Sequence, residues 1–258
     1  MFDFHIHSKV SFDSEESPEN IVRTAEALGL SEICFTDHFD LHIDPNGPHD
    51  IFTLDEYGAA YDSLASDRVL IRRGVEMGLV SWNKKDITEL LAARKFDYVI
   101  GSVHWVGNAD PYFEEYWDCE DPFLKYLLGM REYVSLHDDF DVLGHMTYVC
   151  KSPCNTKKRA FYYKEYADLC DEIMKILVKK DKGMEINTSG MARLGEFLPS
   201  RDFLERFYEL GGRIVTVGSD AHSADRVGAH ATEALKLASD IFGCVCTFED
   251  RKPIFHKI

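Results

Sequence analysis

Seven short apolar runs, each ending on His, Glu or Asn, limit how this chain can fold more than any other feature of it. They lie at residues 2–7, 32–38, 69–76, 98–104, 141–145, 184–187 and 214–222. Helix-like stretches separate them, and that alternation reads as βα units around a parallel sheet. Parallel strands closed into a barrel bring their C-terminal ends to one rim, which would gather ligands scattered over most of the chain. The expected fold class is therefore α/β, a distorted (β/α)7 barrel of the TIM-barrel kind. Residues 244–248 offer an eighth run, but no helix follows it, so seven strands are preferred.

At 258 residues the chain has the size of one such barrel and reads as a single domain over residues 1–258. A hydrophobic share of 45% and a charged share of 29% describe an ordinary globular protein. The net charge of −16 argues against a nucleic-acid polymer as partner, because phosphate contacts need clustered Lys and Arg. A small phosphate substrate would need that field reversed locally, and divalent cations are the obvious means. No basic-then-apolar leader opens the sequence, and no apolar run approaches the roughly 18 residues of a membrane span. Seven cysteines without framework spacing fit a reducing compartment. The expectation is a cytoplasmic protein with no membrane partner, its Cys150/Cys154 and Cys244/Cys246 pairs reduced thiols rather than metal sites.

Ser17 and Pro18 look like a helix cap followed by a first-turn Pro, with Gly29 as the stop. Ile21, Val22, Ala25 and Leu28 give that helix one apolar face. Residues 84–94, 122–136, 159–180, 201–210 and 229–241 read as further helices. The loops at 39–53 and 105–119 follow strand ends and should overhang the rim.

Alternate residues of a strand share a face, so His5 and His7 can aim at one ion. Asp37-His38, Ser219-Asp220-Ala221-His222, Glu76, His104 and His145 at other strand ends turn that pair into a multinuclear site. The motifs Asp3-Phe4-His5-Ile6-His7-Ser8, Phe35-Thr36-Asp37-His38, Gly74-Val75-Glu76, Gly101-Ser102-Val103-His104, Gly144-His145 and Gly218-Ser219-Asp220-Ala221-His222 occur in one order across the chain. In this the sequence resembles the polymerase-and-histidinol-phosphatase (PHP) superfamily, and within it the histidinol-phosphate phosphatases. The resemblance implies two or three divalent ions. His5, His7, Glu76 and Asp220 would hold the first; Glu76 would bridge to a second, completed by His104 and His145. Asp13, His38 and His222 would hold a third, with Glu15 and Glu16 as acidic alternatives to Asp13. Mixed imidazole and carboxylate ligands suit Zn, Mn or Fe. Asp37 should support the site from behind. His42, His49, His137, His230 and His256 read as ordinary histidines.

The chain has no nucleophile elbow and no phosphate-binding glycine loop, so hydrolysis by metal-activated water is the expected chemistry. Glu76, Asp220 and His222 are the candidate catalytic residues. Arg193, after the family-like segment Glu185-Ile186-Asn187-Thr188-Ser189-Gly190, and Arg159 are candidate phosphate contacts. Glu185, with Asp110, Glu114 and Glu115, could face a substrate amine. The favoured substrate is a small phosphomonoester, most simply histidinol phosphate in histidine biosynthesis. Another PHP phosphoesterase acting on nucleotides or phosphotyrosine, or a non-catalytic metal-binding module, are the alternatives.

Overall fold

The computed structural model describes residues 1–41, 43–44 and 50–258. Its strands are β1 (Phe2–Ile6), β2 (Glu32–Phe35), β3 (His38–Phe39), β4 (Leu70–Gly78), β5 (Tyr98–Ser102), β6 (Val142–Leu143), β7 (Gly183–Asn187) and β8 (Val215–Gly218). They pair in parallel in the order β1-β2-β4-β5-β6-β7-β8, while β3 resumes the line of β2 and pairs with β4. Beyond β8 the backbone returns to β1: the amide of Asp220 donates to the His5 carbonyl and that of His7 to the Ala221 carbonyl, both at 2.8 Å. Those bonds close a distorted seven-stranded barrel, the architecture expected from the sequence.

Helices α1 (Pro18–Leu28), α2 (Leu54–Tyr61), α3 (Lys84–Ala93), α4 (Glu114–Trp117), α5 (Pro122–Leu136), α6 (Ala167–Lys179), α7 (Met191–Leu194), α8 (Arg201–Glu209) and α9 (Ala231–Phe242) fill the connections. Ser17 caps α1 by accepting from the Asn20 amide. Two expectations fail here. α2 lies just beyond the predicted 39–53 loop and was not foreseen, although Thr53 and Glu56 form a full capping box. The helix predicted from 159 begins only at Ala167: Tyr162 is extended at φ −109°, the Tyr163 amide donates to Asp202 at 2.8 Å, and a short 3₁₀ turn at Tyr163–Glu165 ends at Tyr166, φ −134°. Among the described residues no helix is long and apolar enough to cross a membrane.

Residues 244–248 do not join the barrel wall. They form β9 (Cys244–Glu249), which pairs antiparallel with β10 (Lys252–Lys257). Cys246 and Phe248 of this hairpin pack with Phe4, Cys34, Tyr98, Ile100 and Val142, all at most 2% exposed. They stopper the barrel at the end where its strands begin. Burying one such Phe is worth about 1.5–3 kcal/mol.

Strand β1 carries a bulge: Asp3 pairs with Ile33 but Ile6 with Phe35, three residues against two. The extra residue lets Phe4 and His5 both face inward, Phe4 into the apolar stopper and His5 into the polar end above it. Strict alternation would have put one of them outside.

Candidate metal centre

Glu76, at the inward face of β4 and fully buried, is the hub of the polar end. Its Oε2 faces His5 Nε2 at 3.1 Å, His38 Nδ1 at 3.2 Å and His7 Nε2 at 3.4 Å. Its Oε1 faces His145 Nε2 at 2.8 Å and His104 Nε2 at 3.2 Å, and accepts from Ser102 Oγ at 2.6 Å. One carboxylate thus divides five imidazoles between its two oxygens, as a bridging ligand would. Asp220 Oδ1 lies 3.4 Å from His7 Nε2 and 3.8 Å from His5 Nε2. Asp13 Oδ2 lies 2.8 Å from His222 Nε2 and 3.6 Å from His38 Nε2. Four sets lie close enough to hold an ion: His7, Asp13, His38 and His222; His5, Glu76 and His145; His5, His7 and Asp220; and His38, Asp40 and His104. The structure brings all nine sequence-predicted ligands together and adds Asp40.

Small residues make room for the convergence. A Cβ on Gly218 would sit 2.3 Å from the His5 Cβ, and one on Gly144 would sit 2.4 Å from Ser102 Oγ. Side chains behind the imidazoles hold them in place. Asp40 takes His104 Nδ1 at 2.9 Å, Glu185 takes His5 Nδ1 at 2.6 Å, and Ser11 lies 3.1 Å from His7 Nδ1. Asp37 is buried behind the cluster, accepting from the Ser8 amide at 2.7 Å and from the Tyr61 hydroxyl. Burial lifts its carboxyl to about 6 despite those donors.

The donor chemistry suits cations. His5 Nε2, His7 Nε2, His38 Nδ1 and Glu76 Oε2 are buried and lack hydrogen-bond partners although they converge on one another. Leaving four such groups unpaired would cost roughly 1–3 kcal/mol each, which shared cations would relieve. The protein's own charges press the same way. Burial disfavours charge on His5, yet Glu185, Glu76 and Asp220 hold it well above the usual imidazole range. His38, also opposed by burial, is carried up to about 9 by Glu76, Asp13 and Asp40. Burial pushes the other way on Asp220 too, but Lys151 and His5 hold its carboxyl well below the normal range. Carboxylates thus draw positive charge to His5 and His38, whereas burial and the neighbouring His222 and His38 hold His7 well below the usual imidazole range.

A pocket of about 280 Å³ opens above these groups. Lys151 lines it, donating to Asp220 Oδ2 at 2.5 Å and Ser189 Oγ at 3.1 Å. Although burial opposes its charge, Asp220 holds the ammonium protonated well above the ordinary lysine range. Sequence reasoning missed it. Lys151 follows His145 by six residues, but only the tight 3₁₀ turn at Tyr148–Lys151 swings it over the pocket.

The predicted substrate contacts fare differently. Arg193 donates to the carbonyls of Pro153 and Asn155, 3.2 Å each, and pins that loop instead of lining the pocket. Arg159 pairs with Glu165 and lies over the Phe123 ring, outside the pocket. Glu185 is not on the rim: the inward parity of β7 buries it beneath His5, and its second oxygen accepts from the His145 amide at 2.8 Å. Asp110 does line the pocket, whereas Glu114 and Glu115 lie on the exposed first turn of α4. The readings of His42 and His49 lie outside the described residues. A larger, shallow groove of about 1150 Å³ along α5 holds none of the nine predicted ligands.

Fold and donors together define a β/α barrel that gathers imidazoles and carboxylates at the C-terminal ends of its strands. A family model of the PHP domain matches residues 3–189. A probable histidinol-phosphatase of Clostridium acetobutylicum is 31% identical over 100% of this chain and 97% of its own length. The histidinol-phosphatase of Lactococcus lactis subsp. lactis is 34% identical over 87% of this chain and 85% of its own. A crystal structure of histidinol phosphate phosphatase from L. lactis, complexed with zinc, L-histidinol and phosphate, matches with a TM-score of 0.85 over 98% of both chains at 31% identity. A putative histidinol phosphatase of Listeria monocytogenes shares the fold, at a TM-score of 0.73 and 18% identity over 90% of this chain and 99% of its own. The chain belongs to the PHP domain family.

Proposed function

We propose that this protein, acting over residues 1–258 as one unit, hydrolyses L-histidinol phosphate to L-histidinol and phosphate. The observation that carries the reaction class is a small pocket whose floor is a cation-seeking donor cluster and whose side wall is Lys151. The full-length likeness to a relative crystallised with zinc, L-histidinol and phosphate supports this substrate. His5, His7, Asp13, His38, Glu76, His104, His145, Asp220 and His222 would hold two or three divalent cations, zinc first among Zn, Mn and Fe. When bound, such ions lower the pKa of water and neutralise phosphoryl charge.

The chain's own groups do the rest. Lys151 offers a donor to a phosphoryl oxygen, and Asp110 faces a substrate ammonium from the pocket wall. Asp40, Glu185 and Ser11 hold the imidazoles of His104, His5 and His7 so that their other nitrogens stay turned inward. His222, the most exposed of the six clustered histidines at 31%, stands nearest solvent among them. The pocket of about 280 Å³ suits a small ester.

The test is phosphate release by protein loaded with Zn, Mn or Fe in turn, from histidinol phosphate beside a nucleotide monophosphate and phosphotyrosine. Histidinol phosphate should be preferred and chelation should stop turnover. Lys151→Ala should lower kcat/KM by about ten- to a hundredfold, the worth of a charged hydrogen bond, while metal content holds. Preference for another ester, or binding of metal without turnover of any ester, rejects this substrate.

A further inference from the structure

The two most exposed large apolar side chains among the described residues are Phe113 at 61% and Phe12 at 59%, and both border the pocket just described. Scattered exposed apolar residues are ordinary; two rings from distant parts of the chain at the mouth of one polar pocket are not. Phe12 comes from the β1–α1 connection and Phe113 from the connection between β5 and α5. Both are held by backbone bonds around them. The Ser11 amide donates to the Ser8 carbonyl at 2.8 Å and the Ser14 amide to the Ser11 carbonyl at 3.4 Å, fixing the turn that carries Phe12. The Phe113 amide donates to the Asp110 carbonyl at 3.1 Å, at the start of α4. Neither ring is tucked into the core, yet neither sits on unbonded chain.

The pocket is graded from bottom to top. Its floor is charged, its wall carries Tyr112 and Tyr148 stacked at 5.1 Å, and its rim offers the two phenyl rings. A ligand with a phosphate at one end and a flat ring at the other would match that gradient.

We infer that Phe12 and Phe113 form an aromatic clamp that receives the planar ring of the substrate and sets specificity at the mouth. The inference rests on the histidinol phosphate reading, in which the imidazole is that ring. Ring-to-ring contact adds about 0.5–1.5 kcal/mol beyond burial, and a protonated imidazole gains further from a phenyl face.

The experiment compares histidinol phosphate with alaninol phosphate, which keeps the phosphate and amine and lacks the ring. The readout is the ratio of their kcat/KM values for wild type, Phe12→Ala, Phe113→Ala, the double variant and the corresponding Leu variants, each checked for zinc content. Each Ala variant should lower the ratio about three- to tenfold, chiefly through KM for histidinol phosphate. The Leu variants should recover only part of it. A double variant that keeps the wild-type ratio overturns the clamp while leaving the hydrolysis reading intact. A wild type that turns over neither ester overturns both.

Discussion

Asp220 stands at φ +56°, a left-handed conformation costly for most residues and tolerated best by Asn and Asp. It stands two residues beyond β8, and the turn aims one carboxylate oxygen at His5 and His7 and the other at Lys151. The sequence marks Asp220 by its motif but not this conformation. The contrast runs through the whole site. Residues 5, 7, 38, 76, 104, 145, 220 and 222 were legible because a barrel must bring strand ends together. Lys151, Asp40 and the true place of Glu185 were not, since each depends on a local turn or on strand parity. Glu185 shows what such groups do: it braces His5 from behind and holds the amide of His145. Glu185→Gln should weaken zinc binding about ten- to a hundredfold, as loss of a carboxylate behind a ligating imidazole does. Competition against a chromophoric chelator measures this directly; unchanged affinity would leave Glu185 a packing residue only.

At the scale of elements, periodicity placed the strands and most helices, and failed where side-chain demands break the pattern. The β1 bulge is invisible in an apolar run, because the sequence of Phe2 to His7 reads equally well as plain alternation. The late start of α6 has a similar origin, since the extended Tyr162 and the 3₁₀ turn after it are set by bonds to distant residues such as Asp202. Asp121 accepts from the amides of Phe123 at 3.1 Å and Leu124 at 3.0 Å, opening α5, and takes the Tyr166 hydroxyl at 2.9 Å. Asp121→Ala should cost about 1–2 kcal/mol, the upper part of the range for lost caps because the Tyr166 bond goes too. Urea unfolding should show a lower midpoint at unchanged slope.

The molecule as a whole links folding to its donor cluster. Five buried imidazoles and a carboxylate are assembled only in the folded chain, so any cation they bind stabilises that state alone. A cation present at a thousand times its dissociation constant adds about 4 kcal/mol. Stripping it should lower the melting temperature by about 10 °C for a chain of this size. Calorimetry before and after chelation, then with zinc restored, checks this; identical melting curves would separate the cluster from stability. The barrel itself was legible from the order of the strands, whereas the role of residues 244–257 was not, because a hairpin and a missing eighth strand look alike in sequence. That hairpin also governs traffic. With the far end plugged by Phe248 and its neighbours, whatever enters must leave by the same door, and under the proposed chemistry the alcohol, lying outermost, departs before the phosphate beneath it.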